Sequence, residues 1–194
     1  MSSLSDEQLI KSCIAGNREH CRLLYDRHKD YVAGLVWHLV RDGEVARDLT
    51  QETFLKAFKA LNKFRAESSF KTWLSRIAVN QFKDYLRGVE RRHEKSHVSM
   101  DGLEKEEGKE LPVKDLSTDP EHQLLQKEFN AVVDAALDKL STEHKTVILL
   151  WQEGFSYDDI AAITKTSQET VGSRIYYAKM HLRNLLIPYI KGKS

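Results

Sequence analysis

The sequence predicts an all-α protein of two small helical domains joined by a flexible linker. Three observations predict it. Apolar residues recur at helical period along most of the 194 residues, and no convincing alternating strand pattern appears. Only three prolines are present. The stretch from 93 to 118 loses the period, is polar and acidic, and holds no aromatic residue. It reads as a linker between domains at 1–92 and 119–194.

The first domain reads as four helices. Ser5 followed by Gln8 forms a capping box for a short helix that ends near Gly16. Asn17 caps the next, whose inward stripe is Cys21, Leu24, Tyr25, His28, Val32, Leu35 and Leu39. Asp42-Gly43 breaks it. The third helix runs to about Leu61 and turns Phe54, Ala57, Phe58 and Leu61 inward. The loop NKFRAESS leads to the fourth, which starts after Ser68 or Ser69 and ends near Arg92. Its stripe is Phe70, Trp73, Leu74, Ile77, Ala78, Phe82, Tyr85 and Leu86.

The second domain opens at Asp119-Pro120, an N-cap followed by proline at the first helical position. Leu125, Phe129, Val132, Val133, Ala136, Leu137 and Leu140 make its apolar face. Ser141 caps a short helix through Trp151, closed by Gly154. Ser156 with Asp159 caps the segment YDDIAAI. Thr164 to Thr166 form a turn. Ser167 caps a long last helix that buries Val171, Ile175, Ala178, Leu182 and Leu185.

Charge is segregated, although the formal net charge is only +1. Phe70 to Lys95 holds seven Lys and Arg against three acids. Ser99 to Glu121 holds three against eight, and Gln168 to Ser194 five against one. Basic blocks on two separate helices suit a polyanion better than the net value implies. Cys13 and Cys21 are too few for a disulfide framework or a cysteine-only zinc site, and read as buried core thiols. The opening MSSLSDEQ lacks the charged-then-apolar run of a signal peptide, and no stretch has the length of a membrane span. The expectation is a soluble cytoplasmic chain.

Three constellations carry the function. On the third helix Asp48, Gln51 and Glu52 share one face, an acidic surface suited to a basic protein partner, with Lys56 one turn on. On the fourth, Arg76, Asn80, Lys83 and Arg87 run opposite the apolar stripe. Cations there suit phosphates and the amide suits a base edge. The FRAESS loop lies at that helix's N-terminus, with Phe64, Trp73 and Tyr85 as stacking candidates, although Trp73 also belongs to the core stripe. Near the C-terminus, Ser156 and Ser167 start two helices eleven residues apart, the spacing of a helix-turn-helix. The second of these turns Gln168, Gly172, Ser173, Tyr176 and Lys179 outward. A plain helical hairpin has the same pattern. No nucleophile with a partner base, glycine-rich phosphate loop or HExxH pattern is present, so no catalytic residue, cofactor, metal or small-molecule substrate is expected.

These residues resemble the extracytoplasmic-function (ECF) group of bacterial RNA polymerase sigma factors. DLTQETFLKAFKAL is similar to the segment by which that family grips the polymerase β′ subunit. FRAESSFKTWLSRIAVNQFKDYLR resembles the segment that melts and reads the −10 element, and LSTEHKTVILLWQEGFSYDDIAAITKTSQETVGSRI the domain that reads the −35 element. The resemblance implies docking on core polymerase, through β′ and β, by Asp48, Gln51, Glu52 and Lys56. It implies −10 contacts from Arg76, Asn80, Lys83 and Arg87, and −35 contacts from Gln168, Ser173, Arg174, Tyr176 and Lys179. It also implies promoter DNA and an anti-sigma factor as partners, the latter able to hold the chain at a membrane. Two positions depart from the pattern: Gly172 and Tyr177 stand where relatives usually carry basic residues, which predicts a weaker −35 half. A dimeric helix-turn-helix regulator and a sigma mimic are the rival readings. The first would bind palindromic DNA without polymerase; the second would lack the basic stripe of the fourth helix.

Overall fold

A computed structural model describes residues 4–95 and 120–191, with side chains over 4–92 and 129–187. Among the described residues the chain is all α-helical, with one 3₁₀ turn and no strand. Two compact units divide it, residues 1–110 and 111–194. The expected linker lies almost wholly outside the described residues.

The first unit holds α1 (Asp6–Ile14), α2 (Arg18–Val40), α3 (Gly43–Lys59) and α4 (Phe70–Lys95). Its boundaries follow local chemistry. Ser5 accepts from the Gln8 backbone N–H while Gln8 reaches back to the Ser5 N–H, the reciprocal capping box. Gly16 takes φ +98°, a conformation open to glycine, and lets the chain turn into α2. Asn17 accepts from His20 N–H to start that helix. At the far end Arg41, with φ 57°, is the left-handed residue, and Asp42 caps α3 by accepting from Glu44 and Val45 N–H. The sequence placed a break here; the aspartate is a start signal as much as a stop. The third helix ends at Lys59, before Leu61, which instead opens the 3₁₀ turn Leu61–Lys63.

Ser69 settles where α4 begins. Its hydroxyl accepts from Thr72 N–H at 3.0 Å. At the other end α4 runs to Lys95, three residues past the expected boundary at Arg92. The core of the unit is Leu9, Leu24, Val32, Val36, Phe54, Ala57, Phe70, Leu74 and Ala78 with their neighbours. Tyr25, expected inward, remains 36% exposed and meets Phe54 edge-on at 4.7 Å. Trp73 is half-buried between Phe64 and Phe70, with centroids 5.5 and 5.7 Å away, so it belongs to the core more than to a stacking platform. Polar residues also enter the α4 core face: Thr72, Ser75 and Gln81 are buried. Ser75 donates to the Lys71 carbonyl and meets the Tyr31 hydroxyl at 2.6 Å.

Cys13 and Cys21 depart from the sequence expectation. Both are half-buried rather than core, and they are joined as a disulfide between α1 and α2, with Cα atoms 5.0 Å apart. Periodicity pointed to their inward direction but could not show that the Gly16 turn brings them face to face.

The second unit holds α5 (Pro120–Asp138), α6 (Thr142–Gln152), α7 (Tyr157–Thr164) and α8 (Gln168–Lys191). Asp119 and the side chain of Leu125 lie outside the described residues. Phe129, expected on the apolar face of α5, is exposed, whereas Ala136 and Leu137 are buried. Among the described side chains of α5, the buried ones lie in its last turn, and α8 packs against this helix. Lys145 is buried beside Asp138, with Nζ to Oδ1 at 2.6 Å, which neutralises a charge that would otherwise be costly inside. Leu182 and Leu185 are half-buried rather than buried.

The side chain of Leu74 is completely buried at the centre of the first unit. Leu74→Ala should lower that unit's unfolding free energy by about 2–5 kcal/mol. Urea titration of the full chain checks it. An unmoved midpoint for the N-terminal transition would place Leu74 outside the core.

Candidate nucleic-acid and polymerase interface

On α3 the apolar face packs against α2 and α4, which leaves Asp48, Gln51, Glu52 and Lys56 exposed on the other. Leu55 lies among them at 59% exposure. It places one apolar side chain within the expected docking face. Sequence reasoning missed it. The signal was available, since Leu55 sits three and four residues after Glu52 and Gln51.

Gln81 was missed as well, and it organises the site. It lies on the inward face of α4, seven residues after Leu74, and is 4% exposed. Its amide N–H donates to Glu52 Oε2 at 2.6 Å, and its carbonyl accepts from Lys56 Nζ. One buried amide therefore holds two of the expected docking residues and ties α3 to α4. Charge-assisted bonds of this kind are stronger than neutral ones. A polar residue at an inward helical position was the clue.

The polar face of α4 carries Arg76, Asn80 and Lys83, all half-buried, and Arg87, exposed. The spacing places them on one side of the helix. Arg76 Nε is buried with no hydrogen-bond partner among the described residues. An unpaired buried donor is unfavourable until an acceptor is supplied. Arg87 pairs with Asp84 at 2.5 Å, an exposed pair of little energetic weight that a phosphate can displace. Lys71 Nζ lies 4.2 Å from the Tyr31 ring centroid at the start of the helix. Before it, Ala66 has φ 56°, which bends the FRAESS loop sharply. The Thr72 amide in the first turn is already occupied by Ser69, so fewer free helix-start amides face that loop than the sequence suggested.

In the second unit the helix-turn-helix geometry is α7, a turn, and α8. Ser156 accepts from Asp159 N–H at 3.1 Å and Ser167 from Thr170 N–H at 3.2 Å. Lys165, at φ 60°, closes α7. Ile160, Ile163, Val171 and Ile175 lock the two helices together from inside. The expected DNA residues are then distributed as follows. Ser173, Tyr176 and Lys179 are exposed on α8, and Arg174 is half-buried. Gln168 is exposed but donates to Asp158 on α7. Lys179 Nζ lies over the Trp151 ring, 3.4 Å from its centroid. Tyr177 is also exposed and meets Tyr176 edge-on at 5.5 Å. The surface is aromatic as much as cationic. Elsewhere, Asp26 on α2 is held below the usual carboxylate range by its hydrogen bond from Lys29. No cluster among the described residues has the makings of a metal site.

A family profile described as Sigma-70 region 2 matches residues 24–92. A second, Sigma-70, region 4, matches residues 131–182. The chain is 35% identical to the RNA polymerase sigma-H factor of Pseudomonas aeruginosa over 187 residues, 96% of either chain. It is 36% identical to the ECF RNA polymerase sigma-E factor of Escherichia coli K12 over 189 residues, 97% of either chain. Its fold is similar to that of the sigma factor RpoE in complex with the anti-sigma factor NepR from Bartonella quintana. That likeness has a TM-score of 0.67 and 26% identity, over 85% of this chain and 95% of the other.

Gly172 sits in α8 with only the Tyr157 ring near the position of an added Cβ, at an ordinary 3.6 Å. Gly172→Ala should therefore stabilise the second unit by roughly 1 kcal/mol through helix propensity alone. Thermal unfolding checks it. A lower midpoint would mean that Tyr157 closes on this position more tightly than its distance implies.

Proposed function

The chain belongs to the ECF group of sigma-70 RNA polymerase sigma factors, and from that premise we propose how its surfaces divide the work. It binds core RNA polymerase and directs promoter-specific transcription initiation, reading −10 and −35 elements under the control of an anti-sigma factor. Catalysis of RNA synthesis rests with the polymerase. In this reading the protein works in the cytoplasm, and a membrane-bound anti-sigma factor would hold it at the membrane until released.

Core docking falls to Asp48, Gln51, Glu52 and Lys56, with Leu55 as the apolar centre of the contact. The −10 strand meets Arg76, Asn80, Lys83 and Arg87. The −35 duplex meets Gln168, Ser173, Arg174, Tyr176 and Lys179. One observation carries the division: Gln81 bonds Glu52 and Lys56 from the buried side of α4. The docking face and the strand-reading face are thereby held in fixed register on two packed helices. Polymerase binding on one would position the other. Asn80 offers both a donor and an acceptor, as base-edge reading requires once strands separate. Arg76, half-buried on the same face, offers a phosphate the charge-assisted bonds of its guanidinium. In the second unit, Tyr176 and Tyr177 offer stacking and apolar contact where cations are sparse, and Lys179 must leave Trp151 to reach a phosphate. Those features support a weak −35 half.

Two predictions test the assignment. Asp48→Lys, which leaves the Gln81–Glu52 bond in place, should strongly reduce capture of core polymerase while circular dichroism stays native. A reversed charge at a desolvated contact costs on the order of several kcal/mol. Undiminished capture would remove α3 from the interface. Asn80→Ala should lower permanganate reactivity of the −10 region severalfold at saturating holoenzyme, with initial promoter binding nearly unchanged, because its partner is exposed only in the open duplex. An equal loss in both measurements would make Asn80 a structural residue and not a reader of bases.

A further inference from the structure

We infer that Cys13 and Cys21 form a redox-responsive clasp, a modification site oxidised by hydroperoxides and reopened by dithiols. The regulatory meaning rests on the sigma-factor reading, because polymerase works in a reducing compartment where protein disulfides are usually transient and sensing. The geometry stands without it. The two Cα atoms lie 5.0 Å apart across the α1–α2 turn, inside the range a disulfide requires. Gly16 at φ +98° and the Asn17 cap set that turn.

Noncovalent contacts bring the sulfurs together before any bond forms. Leu9 and Ile10 bury α1 against the core. Asp6 accepts from Arg27, at 2.5 Å, and pairs with His28, at 2.8 Å. Ser12 Oγ lies 2.7 Å from His20 Nδ1. The thiol form therefore keeps α1 docked and the pair preorganised. Access is present as well. Both cysteines are half-buried, and both line a groove of about 400 Å³ shared with Ile14, Phe58, Lys59, Leu61 and Asn62. That groove admits a peroxide or a small dithiol.

The chemistry balances. One thiolate attacks the peroxide O–O bond, forming a sulfenic acid and releasing hydroxide, which takes a proton to become water. The second thiolate attacks the sulfenic sulfur, forming the S–S bond and expelling a second hydroxide, also protonated to water. The sulfurs give up two electrons and hydrogen peroxide takes them. An external dithiol reverses the bond by exchange and leaves as its own disulfide.

The consequence is mechanical. α1 also touches the 3₁₀ turn Leu61–Lys63, which leads into the loop before α4. Closing the clasp pins α1 over that connection and stiffens the entrance to the −10 helix. Reduction loosens it without unfolding the unit.

The test uses the full chain, reduced, freed of reductant, and treated with one equivalent of hydrogen peroxide. Intact mass after alkylation should show both thiols protected and a chain ~2 Da lighter, with a peptide joining residues 13 and 21. Dithiothreitol should restore two alkylatable thiols. The oxidised N-terminal transition should melt roughly 10 °C higher, and hydrogen exchange should slow in α1 and at residues 61–63. Cys13→Ser and Cys21→Ser, each alone, should lose both responses. Intermolecular dimers, over-oxidised sulfur without a bridge, or a bridge that leaves exchange unchanged would each overturn the proposal. Wild type in its two redox states suffices if a variant misfolds. None of these readouts uses polymerase or DNA, so failure here is distinct from failure of the sigma-factor reading.

Discussion

Burial of one face of α4 is the constraint on which the rest depends. Phe70, Leu74, Ala78, Val79 and Phe82 are almost completely removed from water against α2 and α3. Burial at this scale supplies the dominant favourable term for a unit of this size. It also fixes the rotation of α4. Once that face is inside, Arg76, Asn80, Lys83 and Arg87 have only the other side to occupy. The same packing forces α3 to turn Asp48, Gln51 and Glu52 outward. The polar surfaces are therefore consequences of the core.

Gln81 refines what the apolar core leaves loose. Hydrophobic packing alone tolerates small rotations of one helix on another. A buried amide bonded to Glu52 on one side and Lys56 on the other does not, because slippage would strand its polar atoms. The second unit uses a different device for the same end. There the caps Ser156 and Ser167 and the left-handed Lys165 set the turn, and buried Ile160, Ile163, Val171 and Ile175 set the angle.

Much of this was legible in the sequence. Caps at Ser5, Asn17, Ser141, Ser156 and Ser167 are local chemistry, and local chemistry placed the helix starts. Periodicity identified Leu24, Leu74, Val171 and Ile175 as core, because a 3.6-residue repeat needs no knowledge of the partner helix. What escaped depends on a second element. Tyr25 and Phe129 fit an apolar stripe but stay partly open to water, Tyr25 at the edge of its contact with Phe54. The disulfide needs the turn geometry at Gly16. Gln81 reads as an interruption of the stripe until Glu52 and Lys56 are seen above it. Leu55 reads as an ordinary helix former until its exposure is known. The cation of Lys179 was legible, but its seat on Trp151 was not.

Every surface described above serves one task, giving core polymerase its promoter. The direct measurement is run-off transcription with purified core polymerase, the chain, and a library of genomic promoter fragments. Discrete transcripts should arise from a small set of fragments, absent with core alone and sharing paired upstream elements. A chain that yields no transcript above core alone, while binding palindromic duplexes by itself, would contradict that role.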